Sequence, residues 1–153
     1  MAQFRIRAAR VEDATIISHV HIEARRVAMP WLPVMHTFEE TVQFFGDFVI
    51  PNQVVLVAEA EEGVIAVIAV EGSFVEHLYV APAHQGIGIG DALLARAKEM
   101  RPEGLMLWTF EGNDRARRFY EKRGFVAVEF TDGSRNEERT PDVRYRWKPA
   151  SRG

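Results

Sequence analysis

The stretch Leu78-Tyr79-Val80-Ala81-Pro82-Ala83-His84-Gln85-Gly86-Ile87-Gly88-Ile89-Gly90-Asp91-Ala92-Leu93-Leu94 decides the reading of this chain. An apolar, strand-like run stops at a proline. Glycines then occupy every second position from 86 to 90, and helical spacing of apolar residues begins. Glycine lets a backbone approach a ligand closely and point its N–H groups outward. A helix N-terminus adds about half a positive charge at the same place. Together these suit a phosphate or pyrophosphate. Two common nucleotide signatures fail: the dinucleotide fingerprint needs glycine where Asp91 stands, and no Gly-Lys-Ser/Thr occurs.

Upstream the periodicity is that of strands. Val54–Ala60 and Val64–Val70 are β-branched runs split by Glu61-Glu62-Gly63, and Glu71-Gly72-Ser73 turns the chain into Phe74–Val80. Three such runs with tight turns predict an antiparallel meander. Before them, Phe4 and Ile6 alternate with arginines as a short strand, and Val11–Met29 carries a helical apolar stripe. A proline-rich loop, Pro30 to Pro33, ends that helix, and Thr37 with Glu40 has the spacing of a capping box. Downstream the prediction is helix (about Ile89–Met100), strand (Leu105–Thr109), helix (Asn113–Lys122), strand (Phe125–Phe130) and a last strand, Val143–Trp147. Gly124 suits the position just past a helix end. The predicted class is mixed α/β, one sheet with helices on both faces.

Composition narrows the function. The 153 residues predict one domain spanning 1–153, and 47% hydrophobic with 27% charged residues is ordinary globular material. The net charge of −3 argues against a nucleic-acid or anionic-membrane partner. No apolar run approaches the roughly 20 residues of a membrane span, and no signal segment is evident, so the expectation is a cytoplasmic protein. Zero cysteines exclude thiolate nucleophiles and cysteine-held metals. His19 and His21 diverge on a helix, so no metal is expected.

The segment Gln85-x-x-Gly88-x-Gly90 resembles the pyrophosphate-binding signature of the GNAT (GCN5-related N-acetyltransferase) superfamily. A second match follows: Asn113-Asp114-Arg115-Ala116-Arg117-Arg118-Phe119-Tyr120, closed by Gly124-Phe125, resembles the family's Asn-x-x-Ala-x-x-Phe-Tyr helix. The acidic loop Asp132–Asp142 is similar to one in a bacterial subgroup of acetyltransferases without firm substrates. The resemblance implies a central, mostly antiparallel sheet of about seven strands, in which a splayed parallel pair binds acetyl-CoA. It implies backbone hydrogen bonds from Leu78, Tyr79 and Val80 to the pantetheine arm. Gln85, Gly86, Ile87, Gly88, Ile89 and Gly90 would hold the pyrophosphate, Asn113 would reach the pantetheine side, and Phe119 would pack near it. Ile87 departs from the family, where that position is often basic; Arg96 or Arg115 would compensate.

Tyr120, read alone, is an aromatic on an apolar helix face; within the motif it becomes the proton donor to the departing thiolate. The base is open between Glu76 and Glu111. In an unbulged strand Glu76 shares a sheet face with Leu78, and His77 faces away; Glu76 reads equally as a solvated carboxylate. In the family the N-terminal helices and the last strand loops shape the acceptor pocket, which draws in Trp31 and Glu138. Trp31 reads equally as a core plug, and Glu138 as part of a solvated loop. The functional expectation is direct acetyl transfer to a primary amine of a small molecule, amino acid derivative or peptide. The alternative is a non-catalytic acyl-CoA-binding module. The basic face of Arg115, Arg117, Arg118, Lys122 and Arg123 reads as solvated. The family's habit of pairing implies a homodimer, with the late strands as candidates for the interface.

Overall fold

The apolar runs of the first half pair in the order in which they occur. Val54–Ala60 (β2), Gly63–Glu71 (β3) and Phe74–Val80 (β4) form the antiparallel meander, and Arg5–Ala8 (β1) adds to the outer edge of β2. The computed structural model describes residues 3–150. In the second half, Leu105–Phe110 (β5) lies parallel to β4, while Val126–Thr131 (β6) and Asp142–Trp147 (β7) are antiparallel. The order is β1-β2-β3-β4-β5-β7-β6, a seven-stranded mixed sheet with a single parallel pair.

Helices cover both faces. A 3-10 turn, Val11–Asp13, precedes α1 (Ala14–Ala28), so the α-helix proper starts three residues later than its apolar stripe. There Asp13 takes the Arg7 guanidinium at 2.8 Å and the Arg10 N–H at 2.8 Å, which fixes the entry into α1. The capping box forms as read: Glu40 N–H donates to Thr37 Oγ1 and Thr37 N–H to Glu40 Oε1, opening α2 (Phe38–Phe44). The helix then widens into a π segment, Phe45–Val49, and closes with a last turn, α3 (Ile50–Asn52). Gly46 sits close against Ala14 within that segment, and Phe45 and Val49 are both fully buried. Helices α4 (Ile89–Met100) and α5 (Asp114–Lys122) take the other face.

Two cores result. Beneath α4 and α5, Ile89, Leu93 and Leu94 pack with Leu105, Leu107 and Tyr145. Beneath α1 and α2, Ile17, Phe45 and Val49 pack on Val57 and Val67. Each fully buried aliphatic side chain of this kind contributes about 1.5–3 kcal/mol. The second core draws on β2, β3 and β4, and on the β5 side Trp108 is left 44% exposed.

Two departures from regular pairing position the functional region. First, β4 and β5 pair only at Phe74 with Met106, beside a Met106 N–H bond to Ser73 O at 2.8 Å, and diverge beyond. Second, β4 is bulged. His77 pairs with Ala69 and Val75 with Val70, which leaves Glu76 as the extra residue. The expected alternation of Glu76 with Leu78 therefore fails: Val75, not Glu76, shares the core face with Leu78.

Candidate functional site

A cleft of about 700 Å³ opens where β4 and β5 part. Backbone groups of β4 that point away from β3 have no ladder partner along this stretch. Buried main-chain donors and acceptors need partners, so the splay offers an edge to which an extended, amide-bearing ligand can bond. Leu78, Tyr79 and Val80 line the cleft, as the motif implies.

The glycine loop meets this edge. Gln85 donates from its side chain to Val80 O at 3.0 Å, tying the loop to the end of β4. Gly86 and Gly88 adopt φ of +82° and +91°, backbone that other residues rarely accept. Gly88 is the N-cap of α4 and contributes no side chain to its first turn, so the N–H groups there keep no internal partner. By contrast, the Asn113 side chain caps α5 by accepting from Ala116 N–H at 3.2 Å. Gly90 has a different reason to be glycine. A Cβ there would lie 3.3 Å from the Phe119 ring, so its bare backbone lets α4 and α5 close together. Arg123 lies over that ring at 3.8 Å and bonds Asp91 at 2.8 Å. Gln85, Gly86, Gly90, Asn113 and Phe119 line the cleft. Ile87 is half exposed, and the Ile89 side chain is buried in the core below α4, so these two offer only backbone. Arg115 lines the cleft and Arg96 does not.

Tyr120 lies at the cleft floor, 9% exposed, with its ring against Phe119, Phe125 and Tyr145. Its hydroxyl takes no hydrogen-bond partner among the described residues. The Tyr145 hydroxyl, by contrast, donates to Glu121 at 2.6 Å and accepts from Arg117 at 2.9 Å. Burial, and next the nearby Tyr79, push the Tyr120 phenol above its ordinary range, so it stays protonated throughout neutral pH. Glu76 enters the cleft from the bulge, and burial, then Glu71, raise its carboxyl above the usual range. A carboxylate raised this way is a better proton acceptor than a free one.

The remaining candidates lie elsewhere. Trp31 is 49% exposed, its indole stacked where a Cβ on Gly112 would stand at 3.1 Å, and it lines neither cavity. Glu111 is exposed and outside the cleft. Glu138 pairs with Arg25 at 2.9 Å, between the cleft and a side pocket of about 170 Å³ that also touches Arg25. A second pair, His36 with Glu137, ties the same loop to the proline-rich segment. No group of metal-binding side chains is present among the described residues.

Sequence reasoning missed Arg25, Trp108 and Glu129 in the cleft wall; Arg135 belongs to the loop 132–142 that it read as a wall of the acceptor pocket, without singling that residue out. It also missed a packed cluster behind Tyr79, in which His21 lies 4.5 Å and His77 5.9 Å from the Tyr79 ring. Burial, with Arg25 nearby, lowers these histidines to about 3 and about 4, so both are neutral packing groups. His77, on the face turned away from Leu78, agrees with the structural role read for it.

An acetyltransferase (GNAT) domain model matches residues 51–127, about half of the chain. The Mycobacterium tuberculosis protein named Probable N-acetyltransferase Rv2775 is 46% identical over 52 residues, 33% of this chain and 30% of the relative's own length. Two solved structures share the fold. The apo form of YjaB from Escherichia coli superposes with a TM-score of 0.77 at 22% identity, covering 97% of this chain and 99% of the other. The PaiA N-acetyltransferase of Thermoplasma acidophilum, solved with coenzyme A, gives 0.75 at 21% identity, covering 95% and 99%.

Proposed function

The chain belongs to the GNAT family of acetyltransferases, and from that premise we propose that it moves an acetyl group from acetyl-CoA directly to a primary amine, both bound at once. The observation that carries this is the meeting, in one cleft, of an open β4 edge, an uncapped glycine-bearing helix start, a protonated phenol and a carboxylate. Residues Leu78–Val80 suit the amide-bearing arm of acetyl-CoA. The loop Gln85–Gly90, assisted by Arg115, suits its pyrophosphate.

Glu76 takes the proton of the acceptor's ammonium, directly or through water. The free amine nitrogen then bonds to the thioester carbon, the C–S bond breaks with Tyr120 supplying a proton or hydrogen bond to the departing sulfur, and the second proton shed by the nitrogen passes through water to restore Tyr120 or complete the thiol. Products are the N-acetyl amine and the thiol of coenzyme A. The raised phenol of Tyr120 favours hydrogen bonding over full transfer, since a buried phenolate is costly. Trp31, Glu111 and Glu138 then act outside the reacting centre. The chain functions as one domain, in the cytoplasm, without nucleic acid or membrane as partner; no helix among the described residues is long and apolar enough to cross a membrane.

Tyr120→Phe tests the reading, because it removes one oxygen and keeps the packing. Thiol release should fall about 10- to 1000-fold with acetyl-CoA affinity nearly kept. Unchanged turnover would remove Tyr120 from the chemistry. Tight acetyl-CoA binding with no turnover on a broad amine panel would instead favour a non-catalytic acyl-CoA-binding module.

A further inference from the structure

Six charged side chains line the cleft: Arg25, Glu76, Arg115, Glu129, Arg135 and Asp142. Three are already engaged. Arg25 donates to Glu138 at 2.9 Å, Glu129 accepts from Arg144 at 3.1 Å, and Asp142 accepts from the Thr131 hydroxyl and from Asn136 at 3.1 Å. Among the described residues no hydrogen bond or ion pair engages the side chains of the other three. Arg115 stands on the first turn of α5, two residues after Asn113, and is the residue assigned above to the pyrophosphate. The acceptor half is thus left with one open carboxylate, Glu76, and one open guanidinium, Arg135.

The loop presenting Arg135 is tied down from within. Asn136 donates to Thr140 O at 2.7 Å and accepts from Thr140 N–H at 3.1 Å, and Ser134 N–H bonds Asp132 at 2.9 Å. Trp108, exposed on β5, lines the same cleft with an apolar face. A guanidinium held on a tied loop is a fork shaped for a carboxylate or phosphonate. Resting on the transferase reading above, we propose that the acceptor is a zwitterionic amine of amino-acid type, its ammonium directed to Glu76 and its anionic group held by Arg135. Arg135 is a specificity-determining residue for the acceptor.

The test compares matched amines that differ only in the second group: free acid, phosphonate and carboxamide, across α-amino acids and ω-amino acids of several lengths. Thiol release from acetyl-CoA gives kcat/KM for each. The acid or the phosphonate should exceed its carboxamide by about 10- to 100-fold, the size expected of a charge-assisted pair, and which of them leads identifies the anion. Arg135→Ala should bring that ratio near one and Arg135→Glu should invert it, while calorimetry with acetyl-CoA verifies that each variant is folded. A general loss of structure lowers both members of a pair and leaves the ratio unmoved. Wild-type enzyme that acetylates acids and carboxamides equally, or an Arg135→Ala ratio equal to wild type, overturns the proposal and leaves the transferase reading standing. Turnover with no amine in any form overturns the transferase reading, and this inference with it.

Discussion

Gly133 is where a single methyl group should do the most damage to the acceptor side without touching the cofactor side. Its φ is +83°, and a Cβ there would stand 2.6 Å from the Thr140 nitrogen and closer still to the Thr140 carbonyl. Left-handed backbone costs an L residue roughly 1–2 kcal/mol. The obstacle is main chain, so no rotamer change relieves it, and Gly133→Ala must open the turn between β6 and β7. Opening breaks the two Asn136–Thr140 bonds and the Asn136 bond to Asp142, each with a net value of about 0.5–1.5 kcal/mol. Opening therefore caps the loss, at about 2–4 kcal/mol. For a chain of this size that is roughly 4–16 °C in Tm if the loop melts with the rest. Should the loop open by itself, Tm moves less, and the Asn136 and Thr140 amides exchange faster instead. Acceptor KM should rise as the Arg25–Glu138 pair and Arg135 lose their anchor, while acetyl-CoA Kd holds, because among the described residues no hydrogen bond joins Gln85–Gly90 to that loop. The assays are thermal unfolding, amide exchange and the two binding constants. Unchanged Tm together with unchanged exchange would refute the reasoning, whatever the kinetics.

Glu76→Gln should lower turnover and shift its pH profile. The wild-type acid limb falls as pH drops through the raised Glu76 pKa, above the ordinary carboxylate value, and the variant loses that limb. Stability moves the other way: a carboxyl whose folded pKa is raised weakens the fold at neutral pH, so the variant should melt higher at pH 7 and lose that advantage in acid. The homodimer expectation can be tested at β6, an edge strand without Lys or Pro that leaves Val126 64% and Phe130 56% exposed. Light scattering should report twice the 17.4 kDa chain mass for the wild type and the single mass for Val126→Glu; a monomeric wild type sinks the expectation.

The glycine loop at 86–90 was legible because its geometry is set by backbone. That the Asn113 side chain caps α5 was not read from the letters, but a glycine that reaches φ of +91°, or that lets Phe119 approach, leaves its mark in them. The same holds for most elements, whose apolar periods match the strands and helices within a few residues. The bulge at Glu76 left no such mark. It follows from how β3 and β4 register, and alternation counted along one strand cannot reveal it. Nor did the π segment at Phe45–Val49, whose spacing still reads as an ordinary helix. Arg135 and Glu76 are 59 positions apart, and Trp108 belongs to a third element; only the folded sheet brings all three to one cleft.

That contrast has a consequence for how such a chain changes its substrate. Main-chain donors at the start of α4 and along β4 are insensitive to most substitutions, provided the glycines remain. Acceptor recognition, as proposed, rests on side chains held by a loop whose own bonds, Asn136 to Thr140 and Thr131 to Asp142, are internal to residues 131–142. Replacing that loop disturbs neither core, since none of its residues belongs to either apolar cluster. The acceptor can thus be exchanged without repacking either core. The bulge is the counterpart that cannot move freely: it is set in β4 between Val75 and His77, each packed in a different core, and it is what delivers Glu76 to the cleft whatever the loop selects.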